Sequence, residues 1–298
     1  MSTNLREADT IVTAEGILAE KTLKVEYDNG IPSISGNVVL KISDTNTITF
    51  STKQSSKTKK GEDNKLYSGL VTIMNEYKSI ADVGEENADR IRITRGQMRP
   101  AYMARSGREG IFYQANFYNR INAGDPVNPH ADFEVEVYVD SVVPEQYTSG
   151  DKQGEETGRA IVHAWLPTYN GIEPVDLIAP KDIADAVMDL YSKGMTGRFY
   201  GDIVNSRVEK KSVTQVRIGK PKETTSVTYT NELIITGATE PYPEDDKNTF
   251  DKEAVQLAKQ ERETRIEEKK AQASSNGSSN NSWQQKSAAP DTGRKLPF

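Results

Sequence analysis

The alternation of apolar and polar side chains predicts β-strands in two successive halves of the chain, with a helix inside each half. In the first half we expect strands at 17–27, 35–42, 46–53, 89–96, 110–118 and 133–143, and a helix at 66–81. In the second half we expect strands at 158–166, 172–179, 198–208, 212–219 and 229–237, and a helix at 182–193. The repeated order of elements indicates a diverged internal duplication.

The order of strands, helix and strands is typical of a small Greek-key barrel of the OB type, with the helix plugging one end. Asn29-Gly30, between the first two predicted strands, favours the positive φ angles of a tight hairpin. We therefore predict a mainly β fold with two tandem OB-like Greek-key barrels, each with one helix, then a charged helix and a disordered C-terminal tail. The predicted boundaries are a flexible N-terminal arm at 1–15, barrels at 16–148 and 158–243 with a linker at 149–157, a charged helical segment at 244–272 and the tail at 273–298.

The C-terminal part of the chain differs in composition from both halves. Residues 250–272 are rich in Glu, Lys, Arg, Gln and Ala, with opposite charges four apart such as Glu261 and Arg265. This pattern is typical of a solvated helix. Residues 273–298 are rich in Ser, Asn, Gln and Gly and are expected to be disordered.

The stretch 110–120, GIFYQANFYNR, combines rings, amides and a cation. Read as one strand, it places Ile111, Tyr113, Ala115 and Phe117 on a core face and Phe112, Gln114, Asn116, Tyr118 and Arg120 on the opposite face. Rings that stack on bases and cations that neutralise phosphate are what an unpaired nucleic acid strand requires. The alternative is that Phe112 and Tyr118 cover an apolar patch beneath a loop.

Charge is sorted by segment, although the formal net charge is −6. Residues 90–120 hold seven arginines and one acid, residues 198–222 hold seven basic residues and two acids, and residues 53–65 hold five lysines and two acids. Residues 132–156 hold eight acids, and residues 240–253 hold six. This distribution favours grooves of positive potential on an acidic body.

Several classes of protein are excluded or disfavoured. The chain has no cysteine and only two histidines, so disulfide scaffolds, thiolate nucleophiles and Cys- or His-rich metal centres are excluded. No phosphate-binding Gly-rich loop and no Gly-x-Ser-x-Gly motif is found, and we expect neither enzymatic activity nor a cofactor. The N-terminus lacks the apolar core of a signal peptide and no apolar run has the length of a membrane span, which predicts a cytoplasmic protein.

The segment 174–203 resembles the single-stranded DNA-binding protein family of bacteria and phages. The family shows a strand, a helix, Lys-Gly, six residues, and Gly-x-aliphatic on the next strand; here these are Lys193-Gly194 and, six residues later, Gly201-Asp202-Ile203. Residues 232–240, ELIITGATE, stand where the closing strand of the family stands. The first half carries a weaker copy of this motif at Gly96-Gln97-Met98. In the residues before it, the apolar alternation of Ile91 and Ile93 is one residue out of phase with Phe199 before Gly201. A match between the two halves therefore requires a β-bulge.

The end of the chain also resembles this family, whose members carry a flexible linker and an acidic tip ending in Pro-Phe that binds other replication and repair proteins. Leu296, Pro297 and Phe298 match the terminal tripeptide, whereas Arg294 and Lys295 stand where the family has aspartates. A partner protein that recognises those acidic residues would not bind this tail. The resemblance implies an OB fold, single-stranded DNA and tail-bound proteins as partners, no membrane, and a monomer or a homo-oligomer.

The candidate site residues follow from the rings and cations of the basic segments. The candidates for base stacking are Tyr102, Phe112, Tyr118, Trp165 and Tyr200. The candidates for phosphate are Lys53, Lys57, Lys59, Lys60, Arg90, Arg92, Arg99, Arg105, Arg108, Arg120, Arg198 and Arg207. For each ring the alternative is packing in the core or under a loop, and for each cation it is a solvated surface position.

The leading hypothesis is a non-enzymatic binder of single-stranded DNA that protects and organises strands exposed in replication, recombination or repair. The alternative is a structural β-barrel protein of a phage particle with no nucleic-acid role. The sorted charge, the segment at 110–120 and the Pro-Phe end favour the first hypothesis.

Overall fold

The computed structural model describes residues 5–104, 106–214 and 222–277. The candidate Arg105, part of the predicted strand at 212–219 and the C-terminal residues 296–298 lie outside the described residues. None of the helices in the described part of the chain combines the length and the apolarity needed to cross a bilayer.

The first half forms a closed barrel, which we call barrel 1. Its five strands are β1 (Thr10–Lys21), β3 (Ile31–Lys41), β4 (Thr47–Ser55), β5 (Arg90–Met103) and β6 (Arg108–Gln114). They pair in the order β1-β3-β4-β6-β5, and β5 pairs with β1 to close the barrel. The β4–β6 pairing is parallel and the others are antiparallel.

Further short elements of the first half lie outside this ring of strands. β2 (Lys24–Asp28) forms a hairpin with β3, and β7 (Asn119–Arg120) pairs with β5. Between β4 and β5 lie α1 (Lys65–Glu76), α2 (Ile80–Val83) and a 3₁₀ helix at Glu85–Asn87. In the β2–β3 turn, Asn29 and Gly30 have φ angles of 50° and 81°, which confirms the predicted hairpin.

The second half repeats the same topology as barrel 2. Its strands are β8 (His130–Gln146), β9 (Glu156–Thr168), β10 (Gly171–Ala179), β11 (Thr196–Thr214) and β12 (Lys222–Ala238), with α3 (Ala184–Leu190) between β10 and β11. They pair in the order β8-β9-β10-β12-β11 and return to β8, and only β10–β12 is parallel. Both halves therefore have the strand order of a five-stranded OB-type Greek-key barrel, and the predicted fold class is confirmed.

The two barrels are joined by an antiparallel pairing of their first strands, β1 and β8. Val12 of β1 lies opposite Phe133 of β8 in this pairing. On its other side Val12 lies opposite Gly96 of β5, and Phe133 likewise lies opposite Gly201 of β11. Equivalent positions of the two halves thus face each other, so an approximate twofold axis relates barrel 1 to barrel 2. One hydrogen-bonded sheet runs through both barrels.

The bulge required by the first-half copy of the motif is present. Between Val12 and Ala14 of β1 the partner on β5 changes from Gly96 to Ile93, so β5 carries one extra residue. The β8–β11 pairing is regular between Phe133 and Val135. The extra residue accounts for the one-residue phase difference between Ile93 and Phe199.

Gly201 is predicted to be essential for closing barrel 2. A Cβ atom at this position would lie 1.9 Å from the carbonyl oxygen of Ile234, so strand β12 would have to move. Gly201→Ala should lower the free energy of unfolding by more than about 2 kcal/mol. Gly69→Ala is the matched control, because Gly69 lies in α1 with nothing within 4 Å of its added Cβ; it should raise stability by about 0.5–1 kcal/mol. Urea unfolding measures both, and equal effects would contradict the packing described.

The predicted N-terminal arm and the predicted linker both contain regular structure. The N-terminal arm was expected to reach residue 15, but β1 begins at Thr10, and Val12 and Ala14 are fully buried. Pairing with both β5 and β8 holds this strand, which single-sequence periodicity does not reveal. The predicted linker at 149–157 is the turn of a hairpin that joins β8 to β9, in which the amide of Tyr147 donates to the carbonyl of Glu155.

The helix predicted at 66–81 is interrupted. α1 ends at Glu76, and α2 begins after Ser79, whose backbone amide and hydroxyl both donate to the Asp82 carboxylate. This local capping competes with continuation of the helix through residues 77–79.

The charged helix is present as α4 (Lys252–Gly277), but it is not solvated on all sides as predicted. Val255, Ala258 and Arg262 are buried against the barrels. The Arg262 guanidinium donates to Glu173 of β10 at 2.8 Å and to Glu109 of β6 at 2.6 Å. α4 therefore fastens barrel 1 to barrel 2 near its middle.

Candidate nucleic-acid interface

One outer surface of barrel 1 carries a ring, a guanidinium and several amide and hydroxyl groups. It consists of the outward side chains of β4, β6 and β5, and we call it the barrel 1 face: Thr49, Ser51, Lys53, Gln97, Arg99, Phe112 and Gln114. The intervening residues Phe50, Met98 and Tyr113 point inward and are buried. Strand alternation thus separates core side chains from outward ones across three neighbouring strands.

Arg99 and Phe112 are directly opposite each other on β5 and β6. The Phe112 side chain is 44% exposed, and the Arg99 guanidinium donates to the Gln97 carboxamide at 2.7 Å. Gln97 lies opposite Gln114, which in turn lies opposite Ser51 of β4. The surface can therefore offer an apolar plane, a positive charge and amide groups within two rows of the sheet.

The second ring expected beside Phe112 is not on this surface. β6 ends at Gln114, and the chain leaves the strand over residues 115–118, so the alternation predicted from the sequence fails there. Tyr118 is only 5% exposed, its hydroxyl donates to the Ala115 carbonyl, and burial raises the pKa of this phenol. Phe117, assigned to the core, is instead 56% exposed. The prediction that Tyr118 stacks on bases is therefore wrong for this conformation.

Trp165 and Tyr102 lie under α4. The Lys259 ammonium lies 4.5 Å from the Trp165 ring centroid, and Trp165 packs against the core. The Lys270 ammonium lies 5.6 Å from the Tyr102 ring centroid. The docked helix thus packs side chains against both half-buried rings, and for Trp165 the alternative of packing is the one observed.

Four candidate arginines are held in ion pairs, and one of them, Arg207, pairs with Glu209 on its own strand. Arg92 donates to the buried carboxylate of Glu15 at 2.7 Å, Arg120 lies 3.2 Å from Asp89, and Arg198 lies between Glu134 and Asp9. Burial alone would raise the pKa of Glu15, but the Asn128 amide and the Arg92 guanidinium outweigh it and lower the pKa. These arginines neutralise carboxylates of the fold and are poorly available for phosphate.

Other candidate cations are exposed. Lys57 pairs with Asp63 at 2.7 Å within the lysine-rich loop. Within the described part of the chain, the remaining ones have no ion-pair partner: Lys53, Lys59, Lys60, Arg90 and Arg108. Lys53 lies on β4, Lys59 and Lys60 lie in the loop that follows it, Arg108 begins β6, and Arg90 begins β5 opposite Ile17 of β1.

Barrel 2 contributes the outer part of its β11–β12 hairpin, residues 205–214 and 222–231, which we call the β11–β12 arm. The Arg207 amide donates to the Thr45 carbonyl at 3.0 Å, and Asn46 bonds both Ile203 and Asn205, so the base of the arm rests against the loop that precedes β4. Arg207 lies opposite Tyr229, whose ring is 72% exposed.

Sequence reasoning missed Tyr229 and also Tyr27, which is 74% exposed on the β2–β3 hairpin. Each lies at the end of a predicted strand, Tyr27 in 17–27 and Tyr229 in 229–237, but the pairing of Tyr229 with Arg207 was not predicted. The candidate Tyr200 is 45% exposed, but it lies opposite Glu134 and lines a hollow with Asp132 and Asp202.

The fold and this surface define a tandem OB-barrel protein with one basic, aromatic barrel face. The chain belongs to the YorF family, whose model matches residues 10–272. The search of curated proteins gave no match.

Among solved structures, the wild-type single-stranded DNA-binding protein from Thermus aquaticus is similar, with a TM-score of 0.46 and 11% identity over 81% of this chain and 97% of that one. A deletion mutant of the single-stranded DNA-binding protein from the same organism gives 0.47 and 10%, over 80% and 99%. The OB-type assignment of both barrels follows from their strand order.

Proposed function

We propose that this protein binds single-stranded DNA without catalysing a reaction, and that it protects and organises strands exposed during replication, recombination or repair. The observation that carries the proposal is the pairing of Arg99 with Phe112 on the open barrel 1 face, beside Gln97, Gln114 and Ser51. An unpaired strand offers base faces to the ring and phosphates to the guanidinium, and it needs no fixed base sequence for either contact.

The cations around this face extend the proposed contact. Lys53 continues the face along β4, and Lys59 and Lys60 lie in the exposed loop that follows. At the other end, Tyr229 of the β11–β12 arm adds a second exposed ring beside the start of β4, next to the Arg207 guanidinium, which pairs with Glu209. These groups supply a positive track on a chain of net charge −6, which suits selective contact with a polyanion along one surface.

Fluorescence anisotropy with a labelled oligo-dT and with a duplex, each at two salt concentrations, tests this proposal. We expect tight binding of the single strand, weaker binding of the duplex, and a loss of affinity of about tenfold or more between 50 and 200 mM salt, because phosphate contacts release counterions. Weak, equal and salt-insensitive binding to both ligands would reject the proposal.

We further propose that the terminal Leu296-Pro297-Phe298 recruits partner proteins, on the strength of the sequence resemblance alone. Deleting these three residues should leave the affinity for oligo-dT unchanged and abolish capture of a replication or repair protein. A changed DNA affinity together with unchanged capture would contradict this role.

A further inference from the structure

The approximate twofold axis allows six of the seven residues of the barrel 1 face, all except Lys53, to be matched to residues of barrel 2. Gly96 and Gly201 are equivalent, since each lies opposite the equivalent residue of its first strand. Three residues further on, Arg99 corresponds to Val204. The opposite partners of these two residues are Phe112 and Glu232, which therefore correspond as well.

The same matching extends to the other positions of the face. Gln97 corresponds to Asp202 and Gln114 to Ile234, which are opposite each other in the respective hairpins. The parallel pairings match Ser51 to Ile178, and hence Thr49 to Asp176. We call the six residues of the second set the barrel 2 face: Asp176, Ile178, Asp202, Val204, Glu232 and Ile234.

The barrel 2 face has the opposite electrostatic character. Asp202 is exposed and lies opposite Asp132 of β8. Asp176 is exposed and its carboxylate accepts a hydrogen bond from Nδ1 of His163 at 2.7 Å. None of the six positions carries a cation or an aromatic ring. Burial raises the pKa of Asp132, His130 opposes this rise, and the Asp202 carboxylate adds to it, as expected of carboxylates that repel each other.

The arginine adjoining this face is already neutralised. Arg159 makes two hydrogen bonds to Glu145, at 2.5 and 2.7 Å, and two to Glu232, at 3.0 Å each. Its guanidinium therefore has its charge balanced by two carboxylates, and a phosphate approaching here would meet a net negative surface.

From this contrast we infer that the protein binds the DNA strand asymmetrically: each chain has one strand-binding face, on barrel 1, while the barrel 2 face excludes polyphosphate and barrel 2 contributes only its β11–β12 arm. This inference rests on the proposed function. The two barrels share one topology, but among the matched positions only those of barrel 1 carry the ring and the cation that stacking and phosphate contact require.

The stoichiometry of a short oligonucleotide tests the inference. Isothermal titration of the full chain with an oligo-dT of about eight nucleotides, within the range that one OB barrel occupies, should give one oligonucleotide per chain. The double variant Arg99→Ala/Phe112→Ala should lose this site. The matched double variant Val204→Ala/Glu232→Gln alters the equivalent positions of barrel 2 and should keep the affinity within about twofold, as expected of a distant, independent site.

The outcomes separate this inference from the proposed function. Three results would overturn the asymmetry while the unaltered chain still binds DNA. The unaltered chain could bind two oligonucleotides, or Arg99→Ala/Phe112→Ala could still bind one. Alternatively, Val204→Ala/Glu232→Gln could lose binding with an unchanged circular dichroism spectrum. Absence of any binding by the unaltered chain, to short and long oligo-dT alike, would overturn the proposed function itself.

Discussion

Replacing Arg99 and Phe112 together by alanine is expected to weaken oligo-dT binding on the order of 100-fold, because a stacked base contributes about 1–3 kcal/mol and a phosphate contact adds to that loss. Both side chains point outward from β5 and β6, so truncating them removes little of the core. The slope of log affinity against log salt should also fall by about one for the lost cation. Anisotropy titrations at several salt concentrations measure both quantities.

Tyr118→Phe is the matched control for this experiment. Its hydroxyl donates to the Ala115 carbonyl inside the fold, so the variant should lose roughly 1 kcal/mol of unfolding free energy and keep its DNA affinity. An affinity that falls as far in Tyr118→Phe as in the double variant would show that the affinity depends on the integrity of barrel 1 and not on the exposed pair.

Arg262→Ala is expected to have the largest effect on stability among substitutions in α4. The Arg262 side chain is 8% exposed and Glu173 is 10% exposed, so the variant leaves a buried carboxylate short of its partner. Removing one member of a buried pair costs about 3–5 kcal/mol. Arg265 still pairs with Glu173, so we expect a loss of roughly 2–3 kcal/mol in the free energy of unfolding, measured by urea denaturation.

Two variants separate this ion pair from general effects on the helix. Glu263→Ala alters an exposed residue of the same helix and should change stability by less than about 0.5 kcal/mol. Glu109→Gln removes the partly exposed carboxylate of barrel 1 and should cost less than about 1 kcal/mol. A result in which Arg262→Ala is as mild as Glu263→Ala would contradict the docking of α4 between the barrels.

Periodicity was informative where one face of a strand is buried and the other is open. The strand predicted at 158–166 and the strand β9 at Glu156–Thr168 nearly coincide, because Ala160, Val162, Ala164 and Leu166 are all buried on one face. Periodicity failed at residues 115–118, because β6 ends at Gln114 and the chain turns. Phe117, which alternation assigned to the core, is therefore exposed, and Tyr118, which it assigned to the surface, is buried. A sequence pattern carries no direct signal for the residue at which pairing stops.

The sequence also could not predict which candidate cations are neutralised within the fold. Arg92 and Arg99 lie on the same strand, and nothing local distinguishes them. Arg92 meets the buried Glu15 of β1, whereas Arg99 lies opposite Phe112 of β6. The neighbouring strand decides whether a guanidinium neutralises the fold or remains available to a ligand.

The amino-acid sequence by itself determined the duplicated order of elements, the β2–β3 turn, the two Gly-x-aliphatic positions and the β-bulge that precedes Gly96, because each depends on local backbone preference or on the spacing of apolar residues. Only the tertiary structure decided that α4 fastens the barrels together, which rings are covered and which face is acidic. Those properties depend on pairings between residues distant in the chain, such as Glu109 with Arg262 and Arg159 with Glu232. The free energy of such contacts is set by burial and by neighbouring charge, and neither is encoded in any single segment.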